Sequence, residues 1–405
     1  MNGQVVILGG GVAGLEALMA LHDLAGDRAE LTLVAPDPDF VYKPLLVEEP
    51  FDVGPAEQHA LAPLAEELGA RFVQKAAIRV EPDAHSVELD DGSKLDYDFL
   101  VVCAGGRFRP ALKRAATFPS AGEPLRINQV LQGGEGPRRI AFVVPSGVTW
   151  ALPMYEIALM AQRRAQELRL DDVELTIVTP EETPLAIFGP TASAAVAELL
   201  AARGIEVDPG VHAHDGEEGE LILTPGNRRL QVARVIALPT MEGPAIAGLP
   251  LDEQGFIPID QHARVRGVED VYAAGDGTNF PIKQGGLGTQ QADAAAAHIA
   301  HLLGAATTAE PFHPVLRGKL LTGEESLHLR ADVGGGGGIE EASLDCLWWP
   351  PHKISGRYLA PFLYHGDVHK EPEPPRHPLE VEVALPREWH EEPMALDPYS
   401  SPRVD

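Results

Sequence analysis

Three glycines near the start of the chain, Gly9, Gly11 and Gly14, stand at the spacing that lets a backbone wrap a dinucleotide's pyrophosphate. The first relaxes a tight turn, the second lets the main chain approach phosphate, and the third lets a helix lie close on a sheet. The apolar run QVVIL (4–8) before them reads as a buried strand, and the stretch from Val12 to about Ala25 reads as a helix. That helix would offer its free N–H groups and the positive end of its dipole to the phosphates. LTLVA (31–35) completes a strand–helix–strand unit. The acid expected at the end of that second strand, for the ribose hydroxyls, is missing, because Ala35-Pro36 stands there. Asp37, two residues on, either substitutes for it or serves as a turn former before Pro38.

A second signal is Gly275-Asp276, which follows the apolar VYAA, and a third is the run LDYDFLVVCAGG (95–106), reached through an Asp91-Gly92 turn. The middle of the chain repeats the opening pattern. IAFVVPS (140–146), a helix over 151–168 and ELTIVT (174–179) read as a second strand–helix–strand unit, as a duplicated nucleotide-binding fold would give.

In this order, over residues 1–305, the motifs resemble the two-dinucleotide-binding-domain flavoproteins of the pyridine nucleotide-disulfide oxidoreductase superfamily. Within it they are most similar to type II NADH:quinone and sulfide:quinone oxidoreductases. The resemblance implies FAD as cofactor, held by the opening turn (Gly9, Gly11, Val12, Ala13, Gly14), by the strand end at Ala35 and Asp37, and by Ala104, Gly105 and Gly106. It implies that Gly275-Asp276 binds the ribityl chain. It places LTLVAPDPDFVYKPLL, with Lys43 and Pro44, beneath the isoalloxazine. Gln284 would reach the N1–C2=O edge, Gly285, Gly286 and Gly288 would let the loop press against the ring, and Leu287 would also contact the cofactor, at the start of a helix running from about Gly288 to Leu303. Gln290–Ala292 in that helix match the type II enzymes, whose earlier glutamine is Gly286 here. Two lysines are candidates for catalysis. Lys43 would polarise flavin N5 or pair with Glu48 or Glu49, its alternative being a surface lysine. Lys283 would set positive charge at the N1–C2=O edge, which favours reduced flavin.

Departures from the family narrow the chemistry. No cysteine pair follows the second strand, so disulfide reduction is excluded. Cys103 lies inside an apolar strand and Cys346 stands alone beside Trp348 and Trp349, which does not suit a two-cysteine oxidation of sulfide. Where NADH-using members repeat the glycine motif, this chain reads VVPSGVTWALP (143–153), with Trp150 and Pro153 in place of small residues. That stretch and the following Tyr155-Glu156 resemble sulfide:quinone oxidoreductases and count against NAD(P)H binding.

These elements imply an α/β fold of two Rossmann-like dinucleotide-binding domains plus a small C-terminal cap. An FAD domain is expected over 1–112 and 255–305, with an NAD(P)-type domain inserted at 113–254. A cap at 306–368 and a proline-rich acidic tail at 369–405 follow, with a five-glycine loop at 334–338. The aromatic stretch 347–363 would cover the flavin, line a quinone pocket, or pack on the FAD domain or a second subunit, and a homodimer is left open. The 405 residues carry a formal net charge of −28, which disfavours nucleic acid and anionic lipid as partners. No transmembrane run, signal peptide or metal-ligand spacing is found, so a cytoplasmic protein is expected, with peripheral membrane contact left open. The expected function is FAD-dependent electron transfer from a small-molecule reductant to a quinone or similar acceptor. An NAD(P)H-dependent reductase of a soluble acceptor and a non-catalytic FAD-bound scaffold or redox sensor are the alternatives.

Overall fold

Strand Gly3–Leu8 is buried along almost all its length, because its Val, Ile and Leu side chains are covered on both faces of a parallel sheet. It lies at the centre of five parallel strands in the order Val271–Ala273, Phe99–Val102, Gly3–Leu8, Ala29–Ala35, Arg71–Gln74. The chain passes from this strand to Ala29–Ala35 on one side and later returns to pair Phe99–Val102 on the other. The carboxyl ends of Gly3–Leu8 and Phe99–Val102 therefore bound a crevice, the usual ligand position in such sheets. The computed structural model describes residues 2–54, 56–120, 125–132, 138–332 and 340–365. The expected glycine loop at 334–338 and the tail from 369 lie outside them.

The second sheet is again five parallel strands, in the order Ala116–Thr117, Arg234–Ala237, Arg138–Val143, Val173–Val178, Glu206–Asp208. The expected α/β architecture of two Rossmann-like sheets is thus what the chain adopts. Around Asp91-Gly92, strands Ser86–Leu89 and Lys94–Asp96 pair antiparallel, with Gly92 at φ +80°. A third, antiparallel sheet (Val315–Leu320, Leu327–Asp332, Glu340–Ser343) comes after the Rossmann units. The chain then runs as an irregular strap to a short helix, Leu359–His365, which packs on the opening helix Val12–Ala25.

The long helix Gly285–Leu302 starts three residues before the expected position, because Gln284 caps it by accepting from Leu287 N at 2.8 Å. It packs on the opening helix through small residues. Ala17, Ala20, Ala292, Ala295 and Ala296 are all fully buried, and a Cβ on Gly288 would lie 3.0 Å from Gly275 Cα. Backbones also cross closely in the opening turn, where a Cβ on Gly14 would lie 1.8 Å from Gly9 O and one on Gly9 2.2 Å from Cys103 O. Gly14→Ala should therefore cost about 1–3 kcal/mol of stability by overpacking. Urea denaturation of the variant measures this, and an unchanged midpoint would show that the turn yields.

Candidate functional site

One cavity of about 330 Å³ opens at the carboxyl ends of the first sheet, within the range of small-molecule sites. The opening turn forms one end of it. Only three residues (9–11) separate strand Gly3–Leu8 from the helix at Val12, so the helix N-terminus meets the cavity directly. No side chain caps that terminus and no acid lies in its first turn, which leaves its N–H groups free for an anion. A Cβ on Gly11 would touch nothing within 4 Å, in contrast to Gly9 and Gly14. The second glycine thus keeps space open while the other two let backbones cross. Val12 and Ala13 line the same end.

Gly275 turns at φ +86° and its N–H is held at 2.8 Å by Gln291 Oε1, which aims the following residue into the cavity. Asp276 there makes no hydrogen bond or ion pair among the described residues. Burial raises its carboxyl above the ordinary range, while Lys283 and Lys43 oppose that rise. Lys283 is itself pushed down by burial, to about 8, against the pull of Asp276 and Asp252. Its ammonium donates to Thr278 O and lies 3.6 Å from the centre of the Phe256 ring. Lys43, Pro44, Gly105, Gln284 and Gly285 complete the expected residues that reach the cavity.

The other expected residues lie behind this wall. Ala35 is buried under Gly10, and Asp37 is exposed beyond the strand end. Gly106 presses on Met241, where a Cβ would lie 2.4 Å from Sδ, and Ala104 is exposed without lining the cavity. Gly286 and Leu287 are buried in the first turn of the long helix. The amide of Gln290 is consumed by structure: it donates to Gly286 O and Val315 O and accepts from Val315 N, all within 2.9 Å. Cys103 borders the cavity, but burial pushes its thiol up to about 12, the reverse of what a nucleophile needs.

Three charged side chains at the cavity or behind it were not among the expected site residues. Lys353 and Lys319, from the strap and the third sheet, both reach the cavity. Lys353 Nζ donates to both oxygens of Glu156 at 2.7 Å and to Pro44 O at 3.1 Å. Glu156 is fully buried and also accepts from Leu321 N at 2.9 Å. Burial raises its carboxyl, and Lys353 pulls it back down. Burial lowers the ammonium of Lys319, which donates to Pro351 O at 3.2 Å. A charged residue amid the apolar MYEIALMA was the available signal, but its partner lies 197 residues away.

The second unit builds its turn differently. Eight residues (144–151) separate strand Arg138–Val143 from helix Leu152–Glu167, so the helix N-terminus is set back from the strand end. A Cβ on Gly147 would meet nothing, so no close backbone crossing exists there. Trp150 fills the connection, its ring 5.7 Å from that of Phe188. With Phe118, Leu238, Pro239 and Met241 it gives the cavity an apolar wall. Glu181, just past strand Val173–Val178, is fully buried rather than turned outward. It accepts from Tyr155 Oη at 2.6 Å and Thr179 Oγ1 at 3.0 Å, and burial raises it to about 7.

Residues 3–298 match the family model described as pyridine nucleotide-disulphide oxidoreductase. The chain belongs to this family. It is thus an oxidoreductase, of the group that holds sulfide:quinone reductases, type II NADH dehydrogenase-like proteins and ferredoxin reductases. It is 27% identical over 263 residues to a sulfide-quinone reductase of Aquifex aeolicus, a match covering 61% of this chain and 60% of that relative's length. It is 28% identical over 295 residues to an NADH dehydrogenase-like protein of Mycobacterium tuberculosis, covering 67% and 72%. The solved sulfide:quinone oxidoreductase of Aquifex aeolicus shares the fold, with a TM-score of 0.75 at 20% identity over 84% of this chain and 87% of that one. No helix among the described residues is long and apolar enough to cross a membrane, and no group of three or more His, Cys, Asp or Glu among them is placed to hold a metal.

Lys353→Met should leave Glu156 buried without its counter-charge and cost about 3–5 kcal/mol. The double variant with Glu156→Met should recover most of that loss. Paired urea titrations test this, and equal losses in the single and double variants would refute it.

Proposed function

We propose that the chain binds FAD and passes electrons from a reductant other than a nicotinamide dinucleotide to a quinone or similar acceptor. The observation that carries this reading is the asymmetry of the two Rossmann units around one cavity. In the first, a three-residue turn delivers an uncapped helix terminus and Gly11 leaves the room a pyrophosphate needs. Asp276 adds a carboxyl group that makes no hydrogen bond or ion pair among the described residues, suited to the hydroxyls of a ribityl chain. The donor set therefore fits FAD, which when bound would supply a two-electron carrier. In the second unit the connection is eight residues long, Trp150 occupies it and Glu181 faces inward, which supports a reading without a second dinucleotide there.

The remaining cavity residues suit a quinone-like molecule. The apolar wall offers surface to a ring, and the ammonium groups of Lys43 and Lys319 reach the same cavity. Reduction of a quinone consumes protons as well as electrons, and the Lys353–Glu156 pair can hold one at the cavity edge. The two cysteines supply no nucleophile pair, which separates this site from the disulfide reductases. The names of the relatives, a sulfide-quinone reductase and NADH dehydrogenase-like proteins, agree with quinone-linked chemistry without fixing the donor.

The test is an anaerobic titration of the purified yellow protein with NADH and NADPH, following the visible flavin bands. Neither nucleotide should bleach them, whereas flavin reduced photochemically should be reoxidised on adding a quinone. Rapid bleaching by either nucleotide would overturn the reading in favour of an NAD(P)H-dependent reductase. Asp276→Ala should lower the flavin that copurifies by about tenfold or more, the scale of a lost charged hydrogen bond. Flavin content at wild-type level would remove Asp276 from the cofactor site.

A further inference from the structure

Two acids away from the cavity remain without a role. Glu16, on the opening helix, is fully buried, and Asp293, on the long helix, has Oδ1 shut from solvent with no hydrogen bond to it. The packing of these two helices brings the carboxyl groups within hydrogen-bonding reach of each other. Such a bond needs a proton on one partner, since an ionised carboxylate only accepts.

Glu16 also holds the C-terminal strap. Its Oε1 accepts from Tyr358 N and its Oε2 from Leu359 N, each at 2.8 Å. Gly356 lies so close that a Cβ there would sit 2.3 Å from Oε2. The other charged groups at this contact are few. Arg357 of the strap faces the pair, and Asp23, two turns along the opening helix, accepts from Tyr358 Oη at 3.0 Å. Burial pushes both carboxyls up, and for Asp293 the neighbouring Glu16 adds to the rise. Nearer the cavity the same strap is tied by Ile354 N, which donates to Tyr42 Oη at 2.9 Å, and by Lys353.

We propose that Glu16 and Asp293 share a single proton and form a latch for the strap, residues 347–365, so that losing this proton in alkaline solution lifts the strap and loosens the cavity wall that carries Lys353 and Ile354. They are positioning residues, acting on the cavity through the strap. Linkage sets the sign. With the latch open both carboxyls are hydrated and ionise near pH 4, whereas the closed latch keeps one proton. The closed form then binds more protons, and its advantage falls as the pH rises through the window above about 4 up to the raised value of the pair. Two ionised carboxylates in that buried site would repel each other across the helix contact, and Arg357, which is exposed, answers only one of them.

The latch does not depend on the flavin reading, because its readout is the strap itself. Hydrogen exchange of the full chain, followed by mass spectrometry and normalised at each pH to the unfolded chain, measures strap protection from about pH 6 to about pH 9. Protection of 347–365 should fall about tenfold or more across that range, while strands Gly3–Leu8 and Phe99–Val102 stay unchanged. In Asp293→Asn the amide can donate to Glu16 but cannot ionise, so the strap should stay protected throughout. A flat profile in the wild-type protein, or a wild-type fall in Asp293→Asn, would overturn the latch. The infrared carbonyl stretch of a protonated carboxyl gives a check that needs no variant to fold. It should be present where the strap is protected and disappear as that protection falls, and its absence from the protected form would refute the shared proton.

Discussion

The contact on which the site depends is the crossing of bare backbones at the head of the first sheet. Gly14 lies against Gly9 O, and Gly9 lies against Cys103 O, at distances no Cβ would allow. This draws the opening helix to within three residues of its strand and points its free terminus at the crevice. A longer turn would set the terminus back, and the same peptide dipoles would act on solvent instead of a bound anion. Gly288 repeats the device on the far side by letting the long helix rest on Gly275, which fixes the aim of Asp276.

One half of the molecule makes that contact and the other does not. Both are five-stranded parallel sheets, and their central strands, Gly3–Leu8 and Arg138–Val143, are equally well buried. They differ in the connection after the strand. An eight-residue path filled by Trp150 replaces the glycine turn, and the acid past the next strand is drawn into the core by Tyr155 and Thr179. The second half still serves the cavity, because its crossover helix carries Glu156 and its loops give the apolar wall.

The same division governs how much could be read from the sequence. The two strand–helix–strand units, the hairpin at Asp91-Gly92 and the family itself were legible because each rests on residues adjacent in the chain. So was the geometry around Gly11 and Asp276, whose types have few other uses at those spacings. Gln290 was harder to read, since a glutamine near a helix start looks the same whether it faces a ligand or stitches a strand to the helix, as it does with Val315. The Lys353–Glu156 pair and the Glu16 contact with Tyr358 and Leu359 were not legible. Burial and a partner hundreds of residues away decide them, and neither leaves a local pattern.

The Lys353–Glu156 ion pair also has a consequence for the order of assembly. Glu156 is made with the second Rossmann unit, but the ammonium that neutralises it arrives only with the strap, after the whole of the third sheet. During synthesis from the N-terminus, which lets early domains fold first, the core around Glu156 closes over an acid still lacking its counter-ion. That acid stays protonated or hydrated until residue 353 emerges. The cavity is therefore completed late, and a nascent chain holds both sheets before it holds a complete site.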